Sequence, residues 1–178
     1  MMVDGRSWGR MGAHGWRAFL ILALLLGTLG WVSPSGVRAE PVPSEPCLVT
    51  SAADSGAGTL RDLVAEPACT PIGFDLVAMG SGTITLTTGE LLVTRDVEII
   101  GPGAAALTIS GNGASRVFRT GADTTVSISG VTISGGYVNS GSGGGILNEG
   151  TLTLDTVVVS GNRASSAGGG INHFSGGT

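Results

Sequence analysis

Asp123 and Glu149 are the two carboxylates whose spacing could do chemistry, standing 26 positions apart in a chain of 178 residues. If the backbone returns to the same place after each such interval, the two sit on neighbouring strands about 5 Å apart. Glycoside hydrolysis uses a pair of carboxyl groups roughly 5–10 Å apart, one protonating the leaving oxygen and the other attacking or activating water. Against this stands the plainer reading of two solvated turn acids. That reading is adopted, because no Asp-Asp, Asn-Thr-Asp or Gly-His-Gly motif accompanies the pair. Tyr137, in the glycine-rich stretch 135–145, is the one aromatic placed to offer a sugar a flat face. The competing reading folds its ring onto the protein wall. His173 has no nucleophile beside it in the sequence, and with Cys47 and Cys69 it cannot complete a zinc shell. The glycine runs 143–145 and 168–170 lead into Ile-Leu-Asn and Ile-Asn-His, without the Asp that calcium-binding glycine-rich repeats require. Lysine is absent throughout, so there is no Gly-Lys-Ser/Thr phosphate loop. No catalytic, cofactor-binding or metal-binding residue is assigned, and no cofactor is expected.

These positions must be held by a chain of unusual composition. The stretch 40–178 contains 25 Gly, 15 Ser and 17 Thr. Glycine inside a helix costs about 1 kcal/mol relative to Ala, which excludes a helical bundle. Five Arg against twelve Asp and Glu in the same part exclude a basic nucleic-acid binder. Val, Ile and Leu recur too regularly for a disordered chain.

Residues 1–39 have the layout of a secretory signal peptide. Arg6, Arg10 and Arg17 precede the apolar run AFLILALLLGTL at 18–29, and Val37-Arg38-Ala39 supplies small residues at −3 and −1. Cleavage is expected after Ala39. An uncleaved anchor is the weaker alternative, since a spanning helix needs about 20 apolar residues. With no Arg-Arg pair, the general secretory route is expected, placing the chain at the cell surface or outside the cell. In an oxidising compartment Cys47 and Cys69 can close the loop 47–69, worth about 3 kcal/mol in the chain-entropy picture. Two unrelated thiols are the alternative.

A repeat decides the fold. The pattern apolar-x-apolar-Ser-Gly stands at 107–111, 126–130, 131–135 and 157–161. Gly-Gly-Gly-Ile stands at 143–146 and again at 168–171, a step of 25, and TVSI at 125–128 pairs with TLTL at 151–154, a step of 26. Within each unit apolar residues sit two apart: Ile84/Leu86, Val97/Ile99, Leu107/Ile109, Val126/Ile128, Val131/Ile133, Leu152/Leu154 and Val157/Val159. Successive strand side chains face opposite ways, so Val, Ile and Leu turn inward and hydroxyls outward. An antiparallel sandwich would show strands at roughly 8–12-residue spacing without a longer motif shared between units. The pattern therefore predicts an all-β parallel β-helix with about 25 residues and three short strands per coil, and four or five coils. Asn112, Asn148 and Asn162 are expected at corners, where Asn tolerates left-handed backbone.

A solenoid's end exposes unpaired backbone, so a cap is expected at its start. Thr59 can cap a short helix running to Glu66, with Asp62 at its third position and Leu60, Leu63 and Val64 on one face. The expected organisation is a signal peptide at 1–39, an N-terminal segment at 40–58, a capping helix and first turn at 59–82, and β-helix repeats at 83–178. The last coil reads as incomplete at the C-terminal end.

The segments VTSAADSGAGTLRDLVA (49–65), ITLTTGELLV (84–93), IIGPGAAALTISGN (99–112) and GGGILNEGTLTLDTVVVSGNRASSAGGGI (143–171) resemble a bacterial family. These are exported right-handed parallel β-helix proteins with GGGI-x-N-x-GTLTL repeats, similar to the polymorphic outer-membrane protein repeats. The resemblance implies a right-handed, pectin-lyase-like solenoid in a large surface or secreted protein, of which this chain is a fragment. It implies a structural or adhesin-like role without catalytic residues. The partners it suggests are a surface polysaccharide or a host or neighbouring cell surface, with no nucleic acid. The membrane would be reached only through the signal peptide or a missing C-terminal anchor. The alternative is the N-terminal part of a polysaccharide lyase or glycoside hydrolase whose active site lies beyond Thr178.

Overall fold

The structure, a computed structural model, describes residues 46–174. The expected signal peptide at 1–39 lies outside the described residues.

Short strands follow one another around a coil. The first part contains β1 (Cys47–Val49), α1 (Leu60–Ala65), β2 (Ile72–Phe74), α2 (Leu76–Met79), β3 (Thr83–Thr85) and β4 (Leu91–Val93). The next turn is β5 (Val97–Ile100), β6 (Thr108–Ser110) and β7 (Phe118–Thr120). It is followed by β8 (Thr125–Ser129), β9 (Thr132–Ser134), β10 (Tyr137–Val138) and β11 (Ile146–Asn148). The last described turn is β12 (Thr151–Asp155), β13 (Val158–Ser160), β14 (Arg163–Ala164) and β15 (Ile171–His173).

All the pairings between these strands are parallel and join one turn to the next. One sheet runs β1-β2-β5-β8-β12, a second β3-β6-β9-β13, a third β4-β7-β11-β15, and a small fourth pairs β10 with β14. The fold is an all-β parallel solenoid of about five turns. Its inward side chains form columns: Ile72–Ile99–Ile128–Leu154, Ile84–Ile109–Ile133–Val159 and Leu91–Phe118–Ile146–Ile171. Like residues stack at the strand spacing of about 4.8 Å, and each fully buried Val, Leu or Ile contributes roughly 1.5–3 kcal/mol. The apolar pairs at alternating positions from Ile84 to Ile133 are buried, and Leu152, Leu154, Val157 and Val159 pack partly buried against the same core.

Coil length is less regular than the motifs suggest. Ile109 pairs with Ile133, a step of 24, whereas Ile99 pairs with Ile128, a step of 29. The extra length lies in 101–107, between β5 and β6: ten positions separate Ile99 from Ile109, against five from Ile128 to Ile133.

Thr59 is the N-cap of α1, its hydroxyl accepting from the Asp62 amide, and Leu60 and Val64 are buried. The helix packs on β1 and β4. Cys47 and Cys69 are joined in a disulfide with Cα atoms 5.4 Å apart, closing the loop that contains α1. Helix α2 was not expected from the sequence; Asp75 caps its start and Gly80, with φ 62°, ends it.

Candidate functional site

The charged side chains of this solenoid are used mainly to bind one coil to the next. Asp54, buried, accepts through one oxygen from the Thr88 hydroxyl at 2.6 Å, the Thr88 amide at 2.7 Å, and the Thr87 amide and hydroxyl at 3.0 and 3.1 Å. Its other oxygen takes Nη2 and Nε of Arg61, at 2.7 and 3.1 Å. Burial pushes this carboxyl up, but the Thr88 hydroxyl, Arg61 and the Thr87 and Thr88 amides outweigh it. The group is held well below the usual carboxylate range. Arg61 also donates to the Gly89 and Glu90 carbonyls, so the loop before α1 is fastened to the turn between β3 and β4.

Three further arginines repeat this arrangement. Arg95 donates to the carbonyls of Leu63 and Val64 in the last turn of α1 and to that of Cys69 beyond it. Arg116 donates to the carbonyls of Ser142 and Gly143 and pairs with Glu90, touching the coil on either side of its own. Arg119 of β7 pairs with both oxygens of Glu149, which follows β11, at 2.9 and 3.2 Å.

That last contact involves one of the two spaced carboxylates. Glu149 is held by Arg119, while Asp123 sits exposed in the longer corner 121–124 with φ 60°. Register puts the two acids at non-equivalent positions. Asn148 pairs with Thr120, a step of 28, whereas Thr151 pairs with Thr125, a step of 26. The corner of the earlier coil is longer by two, and Asp123 lies within it. Asp123 is thus a turn residue, and Glu149 a staple between coils.

Asn148 takes a different place from the one expected, in line with His173. They lie inside the third sheet in the column Val93–Thr120–Asn148–His173. The buried Thr120 hydroxyl donates to Asn148 Oδ1, and Asn148 Nδ2 donates to the Gly150 carbonyl at 2.8 Å and to His173 Nδ1 at 2.7 Å. Asn148 is therefore a strand residue turned inward and not a corner. Asn162 does lie at a corner, between β13 and β14, but without a positive φ, and its side chain bridges coils by accepting from the Gly136 amide and donating to the Ile133 carbonyl. Asn112 does occupy a corner, with φ 57°.

Two surface features remain. A depression of about 550 Å³ is lined by Asn148, Leu152, Leu154, Ile171 and His173, among others, over the last described coil. Tyr137, in β10, is 38% exposed and lies beside Arg163 of β14 as its register partner. The Tyr137 hydroxyl donates to Asn139 Oδ1 at 3.3 Å. The exposed ring is thus on the small fourth sheet, which the sequence reading did not foresee. Among the described residues, no cluster of three or more His, Cys, Asp or Glu side chains could hold a metal, and no helix is long and apolar enough to cross a membrane. Comparison with protein families, with curated proteins and with solved structures gave no match.

Proposed function

We propose that this chain is an exported, right-handed β-helix module that acts at the cell surface or outside the cell as a non-catalytic structural or adhesin-like element. One observation carries this reading. Four of the five arginines among the described residues, together with Asp54, Glu90 and Glu149, bind coil to coil. Charge is used to make a stiff rod, with serine and threonine on its outer faces. Thr83, Thr108 and Thr132 form one outward rank on the second sheet, and Thr85, Ser110, Ser134 and Ser160 form another. Such a rod presents a repetitive surface at fixed spacing, which suits display and adhesion. Right-handed winding is supported by the general rule that crossovers between parallel strands of one sheet take that hand in about 98% of cases. Export is supported by the signal layout of residues 1–39 and agrees with the Cys47–Cys69 disulfide.

The test is to express the full chain in a bacterial host, fractionate the cells, and sequence the N-terminus of the product. A chain beginning at Glu40 outside the cytoplasm, sensitive to protease added to intact cells or present in the medium, is the expected result. Retention in the cytoplasm with residues 1–39 intact overturns the export reading. Adhesion is tested separately by coating beads with the purified protein and counting those retained on cell or polysaccharide layers. Retention no greater than that of albumin-coated beads overturns the adhesive reading.

A further inference from the structure

From the fourth sheet we infer a binding site for an anionic glycan, built from Tyr137, Arg163 and Asn139; this rests on the adhesive reading and gives it a ligand class. The inference starts from Arg163. Arg61, Arg95, Arg116 and Arg119 each hold carbonyls or carboxylates of a neighbouring coil. Arg163 alone, among the described arginines, has a side chain without an ion-pair or hydrogen-bond partner among the described residues, and it is exposed. A guanidinium that holds nothing in the fold is available to a ligand.

Its neighbour supplies the other half of the site. Tyr137 and Arg163 are register partners in a parallel pair, so both side chains leave the sheet on the same side, from strands about 4.8 Å apart. The ring is 38% exposed, and its hydroxyl holds Asn139 Oδ1, which leaves the Asn139 amide nitrogen as a further donor. The segments around the pair, 139–143 and 165–168, contain only Asn, Ser, Gly and Ala. They contain no acid to compete for Arg163 and no bulky side chain to cover the ring.

Chemistry then selects the ligand. An aromatic face meets the apolar face of a sugar ring, while a guanidinium and an amide meet its polar edge. The planar fork of Arg matches a carboxylate or sulfate oxygen pair. A neutral sugar would leave the charge of Arg163 unmatched and a free anion would leave the ring unused. A protein partner would need a buried apolar anchor, and the segments around this pair offer only small and polar side chains. The shared chemistry is a uronate or sulfated sugar within a chain.

Native electrophoresis of the purified protein through gels containing sodium polygalacturonate, dextran sulfate or neutral dextran tests this. Retardation by one or both anionic polymers, and none by dextran, is expected. Arg163→Gln and Tyr137→Ala should each weaken retardation about tenfold or more, the scale of a lost charge-assisted contact. Tyr137→Phe, which keeps the ring, should retain it. Mobility unchanged by every polymer overturns the site, as does equal retardation of wild type and Arg163→Gln. If Tyr137→Ala fails to fold, the Arg163→Gln and Tyr137→Phe pair still decides the matter. The assay uses no cells, so its failure leaves export and bead retention to be judged by their own results.

Discussion

Asp54→Ala is the substitution that most directly tests whether the charged side chains staple the coils. It removes the acceptor of six hydrogen bonds, four from Thr87 and Thr88 and two from Arg61. Arg61 keeps only carbonyl partners, and the Thr87 and Thr88 amides lose the oxygen they point at. Breaking one partner of a buried charged pair costs about 3–5 kcal/mol. In a solenoid each turn contacts only its neighbours, so the loss should concentrate where residues 50–58 and α1 meet the turn between β3 and β4. Amide exchange read residue by residue is the assay. At about 1.4 kcal/mol per tenfold, Thr87 and Thr88 should exchange roughly two to three and a half powers of ten faster, while Ile128 and Ile133 change little. Acid supplies a second reading. The folded carboxyl titrates below its ordinary value, and the unfolded one near about 3.9. The stabilisation is therefore fully present above that value and is lost as pH falls below it. The gap in urea midpoint between wild type and Asp54→Ala should narrow between about pH 5 and pH 2.5. Unchanged protection at Thr87 and Thr88, or a loss spread evenly along the rod, refutes the staple argument.

Other substitutions probe the core, the crosslink and the corners. Replacing Cys47 and Cys69 by Ser opens the loop around α1. It should lower stability by about 3 kcal/mol in urea unfolding, and an unchanged midpoint removes the crosslink from the account. Phe118 is fully buried between Leu91 and Ile146 in its column, and Phe118→Ala should cost about 3–5 kcal/mol, seen as a lower melting temperature. Thr156 holds φ 51° at the corner between β12 and β13, where the preceding coil has Gly130 at φ 60°. Thr156→Gly should raise stability by about 0.5–1 kcal/mol, the relief of a left-handed β-branched residue less glycine's larger backbone entropy. A lower melting temperature for that variant would contradict the strain.

What could be read from the sequence and what could not divide along a physical line. Apolar alternation and a recurring Ser-Gly corner are local and additive, so the inward pairs from Ile84 to Ile133 and the parallel stacking were legible. The helix capped by Thr59 was legible for the same reason, since a cap and its target lie three positions apart. Helix α2 had comparable signals, Asp75 before it and Gly80 after it, but so short a segment cannot show a helical period. The charged staples were hidden for a different reason. Arg95 and Arg116 end on main-chain carbonyls of distant segments, and a carbonyl carries no residue identity for a sequence pattern to register. Asn148 was misplaced because a corner and an inward strand position both accept Asn, and only the register separates them. A difference in corner length, five positions from Thr120 to Thr125 against three from Asn148 to Thr151, takes Asp123 out of line with Glu149. Their spacing, read as a constant repeat, was the sole argument for a carboxylate pair over two turn acids, the reading adopted from the sequence. The exposed Tyr137 and the unengaged Arg163 stand 26 positions apart, a true repeat step, and the sheet brings them side by side. In a solenoid the residues able to meet a ligand are therefore found by register, and among the charged ones by asking which the stacking of the coils leaves unused.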